Sequence, residues 1–489
     1  MKTSPKKHQK EDFENSKDQL GWAHFWEVGT GKTYAALLQA EHLYHKGEVD
    51  AMLVVAPPNV HENWITDEMP KHMPDDIPWT GHVYHAGKAK SKKAQQEWRR
   101  MMDEPFPVFV ITYNAMRTIR GKNDGSKMWV GKALARRFLD KRKVFYVCDE
   151  SHRAKTPGAK ITKIIVSSGK WAKHKRILSG TCITNSPFDV YSQVKFLDPG
   201  FWPRHGYGSY QSFKTEFGVF KEMKLKDRAF QQLIYYRNLD HLHKILQEIS
   251  DHHLTSEVLD LPERTFTRRY FEPSAEQKRM YKDLAKDFYT WIDEQEMITT
   301  QLAITRMVRF QQLLSGFIER DVEEGGGKIL LKENPRLDCL ADILENEVPA
   351  PKKVIIWARF RFDIDQIMDK LGGEAVRFDG AVNVEDRLTN RRRFADDSEC
   401  RFFVANPAAA GTGLTLNSAQ TVIYYTNSFN LEHRIQSLGR NHRIGQTGTV
   451  LVMDLLAKGL PFDGNMLTRL KSKTKMLATI MGDELRSLV

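Results

Sequence analysis

Short runs rich in β-branched and aromatic residues punctuate the first two hundred positions: AMLVVAPP at 51–58, PVFVITYN at 107–114, KVFYVCDE at 143–150 and KRILSGT at 175–181. Longer mixed stretches alternate with them. Strands of a parallel sheet read this way, because crossover helices cover both of its faces. The rhythm returns from about 335 in KKVIIWARF, EAVRFDG, CRFFVAN and TVIYYTN. Between them helical spacing dominates, as in AEQKRMYKDLAKDFYTWIDEQ (275–295) and TTQLAITRMVRFQQLLSGF (299–317). The pattern predicts an α/β unit over 1–200, a helical insert and linker over 201–334, and a second α/β unit with C-terminal helices over 335–489. A glycine-rich and acidic stretch, ERDVEEGGGKILLKENP, marks an exposed turn or hairpin before the second unit.

At 489 residues the chain has room for roughly three domains of about 150 residues. Hydrophobic residues make up 41% and charged residues 28%, so disorder is excluded. The balance of 74 basic against 62 acidic side chains leaves +12, which favours a polyanionic partner, nucleic acid or an anionic membrane surface. No apolar run approaches the ~20 residues of a membrane span, and the N-terminal stretch has no apolar signal core. A cytoplasmic protein is expected. Cys148, Cys182, Cys339 and Cys400 are widely spaced and read as small buried apolar residues.

Candidate chemistry begins at HFWEVGTGKTYAALLQAEHLY (24–44), a strand, a glycine loop and a helix with Gly29, Thr30, Gly31, Lys32 and Thr33 at the turn. Glycines let backbone N–H groups approach phosphate oxygens, and the helix N-terminus adds positive potential. Lys32 can reach β/γ-phosphates and Thr33 can offer a hydroxyl to magnesium. The general G-x-x-x-x-G-K-T spacing would place glycine at 26, where the chain has Trp26, so a glycine turn without nucleotide also fits this segment alone.

KVFYVCDESH ends an apolar strand on two carboxylates. Asp149 suits a magnesium ion and Glu150 suits a water attacking a γ-phosphate, although a solvated turn also fits the segment alone. In HRIQSLGRNHRIGQ, Arg440 and Arg443 are three apart and share a face if helical. Two guanidinium groups there suit transition-state charge on a phosphoryl group; a solvent-facing basic helix is the plainer alternative.

Taken in order, these segments resemble the motor of helicase superfamily two, specifically the Swi/Snf-like ATPases, which include chromatin remodellers and compact bacteriophage relatives. The similarity runs along nearly the whole chain. His8 and Gln9 match the adenine-sensing glutamine motif, Gly29 to Thr33 the phosphate loop, and Asp149 to His152 the DESH form of the carboxylate motif. VVAPPNVHENW, VFVITYNAMR, VLDLPER, KKVIIWARF, RFDG, AGTGLTLNSA and QSLGRNHRIGQ match others in the expected order. SGTCITNSPFDVY matches too, with Cys182 where relatives carry proline. Relatives also tend to have basic residues just before VLDLPER, where this chain reads SDHHLTSE.

The resemblance implies two RecA-like parallel-sheet α/β domains in tandem that close on ATP and Mg2+. By it, Gln9 reads adenine, while Gly29, Thr30, Gly31, Lys32, Thr33 and Gly413 hold the nucleotide. Thr33 and Asp149 hold the ion, and Glu150 activates water with Lys32, Arg440 and Arg443 completing the catalytic set. His152, Ser179, Thr181 and Gln436 couple nucleotide state to movement. Nucleic-acid contacts fall at Pro58, Asn59, Thr112, Arg359, Gly411, Thr412 and Thr415, with a sequence-independent grip on phosphates. Basic clusters such as GKAKSKKAQQEWRR suit a duplex backbone or a solvated face, and Trp98, Trp129 and Trp171 beside them read as packing residues by default.

The function expected is an ATP-dependent DNA translocase or helicase acting on duplex or branched DNA, as a monomer, at forks, junctions or DNA-bound proteins. An RNA-directed helicase and a non-hydrolysing scaffold are the alternatives. The compact length fits a bacteriophage or bacterial source.

Overall fold

The structure, a computed structural model, describes residues 1–58, 60–117, 130–225, 228–294, 300–320, 326–410 and 414–482. The chain divides into two compact units. The first comprises Met1–Val219, Ile234–Asp260 and a C-terminal stretch beginning at Met476; the second comprises Phe220–Leu233 and Leu261–Lys475.

The first unit is built on strands β1 (Gly21–His24), β2 (Ala51–Ala56), β3 (Trp79–Val83), β4 (Phe106–Thr112), β5 (Val144–Asp149) and β6 (His174–Leu178). After a two-stranded sheet of β7 (Gly218–Leu225) and β8 (Arg228–Tyr236), β9 (Ser250–Asp251) joins the large sheet, whose order is β3-β4-β2-β5-β6-β1-β9. All its pairings are parallel. β2 and β5 are buried at every position, which is why both read as unbroken apolar runs. Val54, Val108, Val147 and Leu178 join Leu37 and Leu43 of the helix Lys32–His45 in one core, each fully buried aliphatic side chain contributing about 1.5–3 kcal/mol.

The second unit holds a sheet of β10 (Arg264–Phe271), β13 (Val354–Trp357), β14 (Ala375–Phe378), β15 (Phe402–Ala405), β16 (Thr421–Tyr424) and β17 (Val450–Ala457), in the order β10-β17-β16-β13-β15-β14. These pairings are parallel as well. Between β10 and β13 the short strands β11 (Phe317–Glu319) and β12 (Lys328–Leu330) pair antiparallel around the glycine-rich turn.

Two parallel-sheet α/β units are thus the architecture that the apolar runs predicted. The stretch 201–334 is less purely helical than its spacing suggested, since it supplies an edge strand to each large sheet, β9 to one and β10 to the other. β10, RTFTRRYF, keeps most of its side chains half-exposed, as an edge position allows, so it lacks the apolar run of a central strand. Among the described residues no helix is long and apolar enough to cross a membrane. Cys148, Cys182 and Cys400 are buried free thiols, and Cys339 is half-buried.

Candidate active site

Register brings the first unit's chemistry to one edge. Leu178 pairs with both His24 and Asp149, so β1, β6 and β5 end side by side. The loops that follow carry the glycines, Ser179 to Thr181, and the carboxylates. In parallel α/β sheets this carboxyl edge is where ligands sit.

From β1 the chain enters helix α2 (Lys32–His45) through a loop in which Gly29 and Gly31 take left-handed φ angles of 93° and 89°. At Gly31 a β-carbon would also collide with the Gln9 amide. The Lys32 ammonium donates to the carbonyls of Trp26 (2.9 Å) and Glu27 (3.2 Å), which aims it into the loop. Thr33 follows, half-buried, in the first turn of α2. Thr30 donates to the Glu27 carbonyl at 2.8 Å. Helix α1 (Lys7–Ser16) docks on the same loop: His8 Nε2–H donates to the Thr30 carbonyl (2.9 Å) and Gln9 Nε2 to the Gly31 carbonyl (3.3 Å).

Trp26, the departure from the general phosphate-loop spacing, is fully buried, with its ring edge-on to His8, His24 and His253 at centroid distances of 5.2, 5.1 and 5.0 Å. Only its carbonyl serves Lys32, a duty any residue can perform. The stretch SDHHLTSE lies against this loop. Phe25 N–H donates to the Asp251 carbonyl (3.0 Å), Glu27 N–H to the His253 carbonyl (2.9 Å), Thr255 N–H to Glu27 Oε2 (2.7 Å) and Thr255 Oγ1 to the Val28 carbonyl (3.3 Å). Where relatives were expected to place basic residues, this chain places a ladder that fixes the phosphate loop. Its one legible sign was the loss of the basic residues.

Asp149 is buried, and its Oδ2 accepts the Trp64 indole N–H at 3.1 Å. Burial and the adjacent Glu150 carboxylate push its pKa up, against the Trp64 hydrogen bond and the Lys32 charge. Glu150 adopts a left-handed conformation, φ 50° and ψ 54°, rare for a residue with a side chain and characteristic of strained functional positions. Its Oε2 is buried without a hydrogen bond and lies 3.4 Å from His152 Nδ1. That nitrogen is 3.0 Å from Ser179 Oγ and 3.3 Å from Thr181 Oγ1, so the half-buried Glu150 joins the buried His152, Ser179 and Thr181 in one cluster. A β-carbon at Gly180 would sit 3.2 Å from the Trp26 carbonyl, so glycine lets the Ser179 turn approach the phosphate loop.

Cys182 stands in a turn held by side chains. Gln193 Nε2 donates to the Cys182 carbonyl at 2.8 Å, and Gln193 Oε1 accepts from Ser151 Oγ at 2.6 Å. The DESH serine thereby helps to hold this turn through Gln193.

Pro58 is exposed beyond β2, and Thr112 ends the neighbouring β4 in register with Ala56, its hydroxyl accepting the Ala115 N–H at 3.3 Å. Trp98 is buried against Phe109 as a packing residue, whereas Trp171 is exposed with the Arg136 guanidinium over its ring. Asn59, Trp129, Gly411, Thr412 and Gly413 lie outside the described residues.

In the second unit, helix Leu431–Leu438 ends before the arginines, so the shared helical face expected for Arg440 and Arg443 is not formed. They lie instead on turns stapled by Gln446, which donates to the Ala419 (3.0 Å) and Asn441 (2.9 Å) carbonyls, and by His442, whose Nε2–H donates to the Pro262 carbonyl (2.8 Å). The two side chains converge all the same. Arg440 donates to the Leu414 carbonyl at 3.5 Å, and Arg443 donates to that carbonyl at 2.9 Å and to Thr415 Oγ1 at 3.0 Å. Gln436 is buried and donates to Glu432 at 3.4 Å. Arg359 follows β13, half-buried, with its guanidinium donating to Gln311 and its backbone N–H to Thr426 Oγ1 at 2.7 Å.

In the first unit, a left-handed glycine loop at a helix N-terminus, an aimed lysine, a buried Asp149 and a half-buried Glu150 with one orphaned oxygen are a donor set that fits a nucleoside triphosphate and a divalent cation.

The SNF2-related domain model matches residues 18–320, and the helicase conserved C-terminal domain model matches 335–445. The chain belongs to the SNF2-related family. Relatives include the ATP-dependent DNA helicase DDM1 of Arabidopsis thaliana, 24% identical over 93% of this chain and 58% of that protein. The chromodomain-helicase-DNA-binding protein 1-like protein of Danio rerio is 26% identical over 97% of this chain and 43% of that protein. The chain thus spans about half the length of these SNF2-related relatives. A solved structure, the Sulfolobus solfataricus SWI2/SNF2 ATPase core in complex with double-stranded DNA, is 21% identical over 100% of this chain and 98% of that one, with a TM-score of 0.40. The family read from the motifs is the family found.

Proposed function

We propose that this SNF2-related chain is a DNA-dependent ATPase that translocates on duplex or branched DNA as a monomer and remodels forks, junctions or DNA-bound proteins in recombination or repair. The observation that carries the catalytic part is the edge shared by β1, β6 and β5, where Lys32, Asp149, Glu150 and the Ser179 turn open side by side. The DNA part rests on family membership and the +12 charge.

In this reading Gln9 sits by the adenine, the Gly29–Thr33 loop and Gly413 bind phosphates, and Thr33 and Asp149 hold Mg2+. When bound, ATP with its ion supplies the electrophilic phosphorus. Glu150 takes a proton from the attacking water, helped by an orientation that its left-handed backbone fixes in advance. Arg440 and Arg443 supply positive charge to the hydrolysis-competent state. His152 touches Glu150 and both hydroxyls of the Ser179–Thr181 turn, so protonation or rotation at Glu150 reaches that turn directly. Pro58, Asn59, Thr112, Arg359, Gly411, Thr412 and Thr415 are the proposed backbone contacts.

The test is steady-state ATPase rate with no polymer, single-stranded DNA, duplex DNA, a four-way junction and duplex RNA at one salt concentration. Stimulation by duplex or branched DNA, lost in Lys32→Ala and Glu150→Gln, is expected. Preference for RNA would move the chain to the RNA-directed alternative, and no hydrolysis at all would make it a scaffold.

A further inference from the structure

Away from the nucleotide edge residues, three metal-ligating side chains meet on the first unit. His61 and Glu62 lie in the turn after β2, and His85 lies two residues after β3. One ligand atom from each falls within 4.8 Å of the others. His85 Nε2 is 3.8 Å from Glu62 Oε1, and the His61 and His85 rings are 6.1 Å apart between centroids. Bonds of about 2.0–2.1 Å put the ligands of a tetrahedral zinc ion roughly 3.3 Å from one another. The three groups therefore need to close by only about 1.5 Å at most.

Which groups are fixed and which can move decides whether they can. His61 is 8% exposed, and its Nδ1 is buried with no hydrogen-bond partner. A buried polar atom left unpaired is a cost that native structures avoid unless something else satisfies it. Its backbone N–H is tied to the Pro57 carbonyl at 3.2 Å, and Tyr84, next to His85, is tied to the Val110 carbonyl at 2.9 Å. Glu62 and His85 are exposed, so their side chains are free to swing inward.

We propose that His61, Glu62 and His85 form a binding site for one Zn2+-like transition-metal ion, with water in the fourth position. Two imidazoles and a carboxylate suit a borderline ion better than Mg2+ or Ca2+, which take oxygen ligands. The ion would clasp the loop carrying Pro58 to the loop after β3. The site stands apart from the nucleotide reading and does not depend on it.

The full chain, stripped with a chelator, is titrated with Zn2+ by calorimetry and with Co2+ by visible absorption. One ion per chain is expected, with the intense d–d bands of tetrahedral Co2+. His85→Ala and Glu62→Gln change exposed residues and so preserve the fold. Each should weaken Zn2+ binding at least tenfold and abolish the Co2+ bands. Unchanged affinity in both variants, or a weak octahedral Co2+ spectrum in the unmodified chain, would overturn the site.

Discussion

The Trp64 indole donates its N–H to Asp149 Oδ2 over 3.1 Å, so the carboxylate that ends β5 is oriented by the first residue of the helical segment Trp64–Glu68 that follows β2. Both are buried, and hydrogen bonds to charged groups contribute about 1.5–3 kcal/mol. Trp64→Phe keeps a ring and removes the donor. ATP turnover should fall by about 10- to 100-fold, with the nucleotide dissociation constant nearly unchanged because Lys32 and the glycine loop are untouched. Single-turnover kinetics beside fluorescence binding separate the two effects. An unchanged rate would remove Trp64 from the machinery.

How much of this was legible beforehand depends on where each signal resides. β2, β5, β13 and β16 are buried at every position, so their burial was written as apolar runs. β9 and β10 are edge strands, one only two residues long, and neither carries such a run. Lys32, Asp149 and Glu150 announce themselves through residue type and spacing. The ladder from Asp251 to Thr255 does not, because its bonds use mainly backbone groups far apart in the chain. Arg440 and Arg443 would share a face if helical, yet the chain leaves the helix at Gly439. What joins them is the Leu414 carbonyl, some 26 to 29 positions earlier. The left-handed backbone of Glu150 has no sequence signature at all.

Asp363 gives the second unit a pH dependence of definite sign. Burial raises its pKa to about 6, against the Thr426 hydroxyl, which donates to Oδ2 at 2.8 Å, and the Arg336 charge. Its ordinary value is 3.8, so between 3.8 and about 6 the folded state binds more protons than the unfolded one. The stability linked to this group is therefore present below pH 3.8 and lost as pH rises through 6, about 3 kcal/mol in all. Denaturant titrations at pH 4.5 and 7.5 should show Asp363→Asn gaining about 2 kcal/mol relative to the unmodified chain between the two conditions. Parallel pH dependence in both proteins would mean that Asp363 titrates normally.

The helix that leads into the arginine turns is held by one buried ion pair. Arg434 donates through both terminal nitrogens to Asp454 of β17, at 2.7 and 2.8 Å, with its guanidinium 3.6 Å from the centre of the Tyr424 ring. Both side chains are 2% exposed, so removing either leaves the other as an uncompensated buried charge. Asp454→Ala should cost about 3–5 kcal/mol, read as a lower denaturation midpoint for the second unit. Arg434→Met with Asp454→Leu removes both charges and should recover most of that loss, because desolvating the pair cancels much of its attraction. The two proteins should then part company in activity. Arg434 also donates to Asn427 at 3.0 Å, and the helix it holds runs directly into Arg440 and Arg443. The stable double variant should therefore hydrolyse ATP more slowly than the unmodified chain while staying folded. A double variant as fast as the unmodified chain would make the ion pair a matter of stability alone.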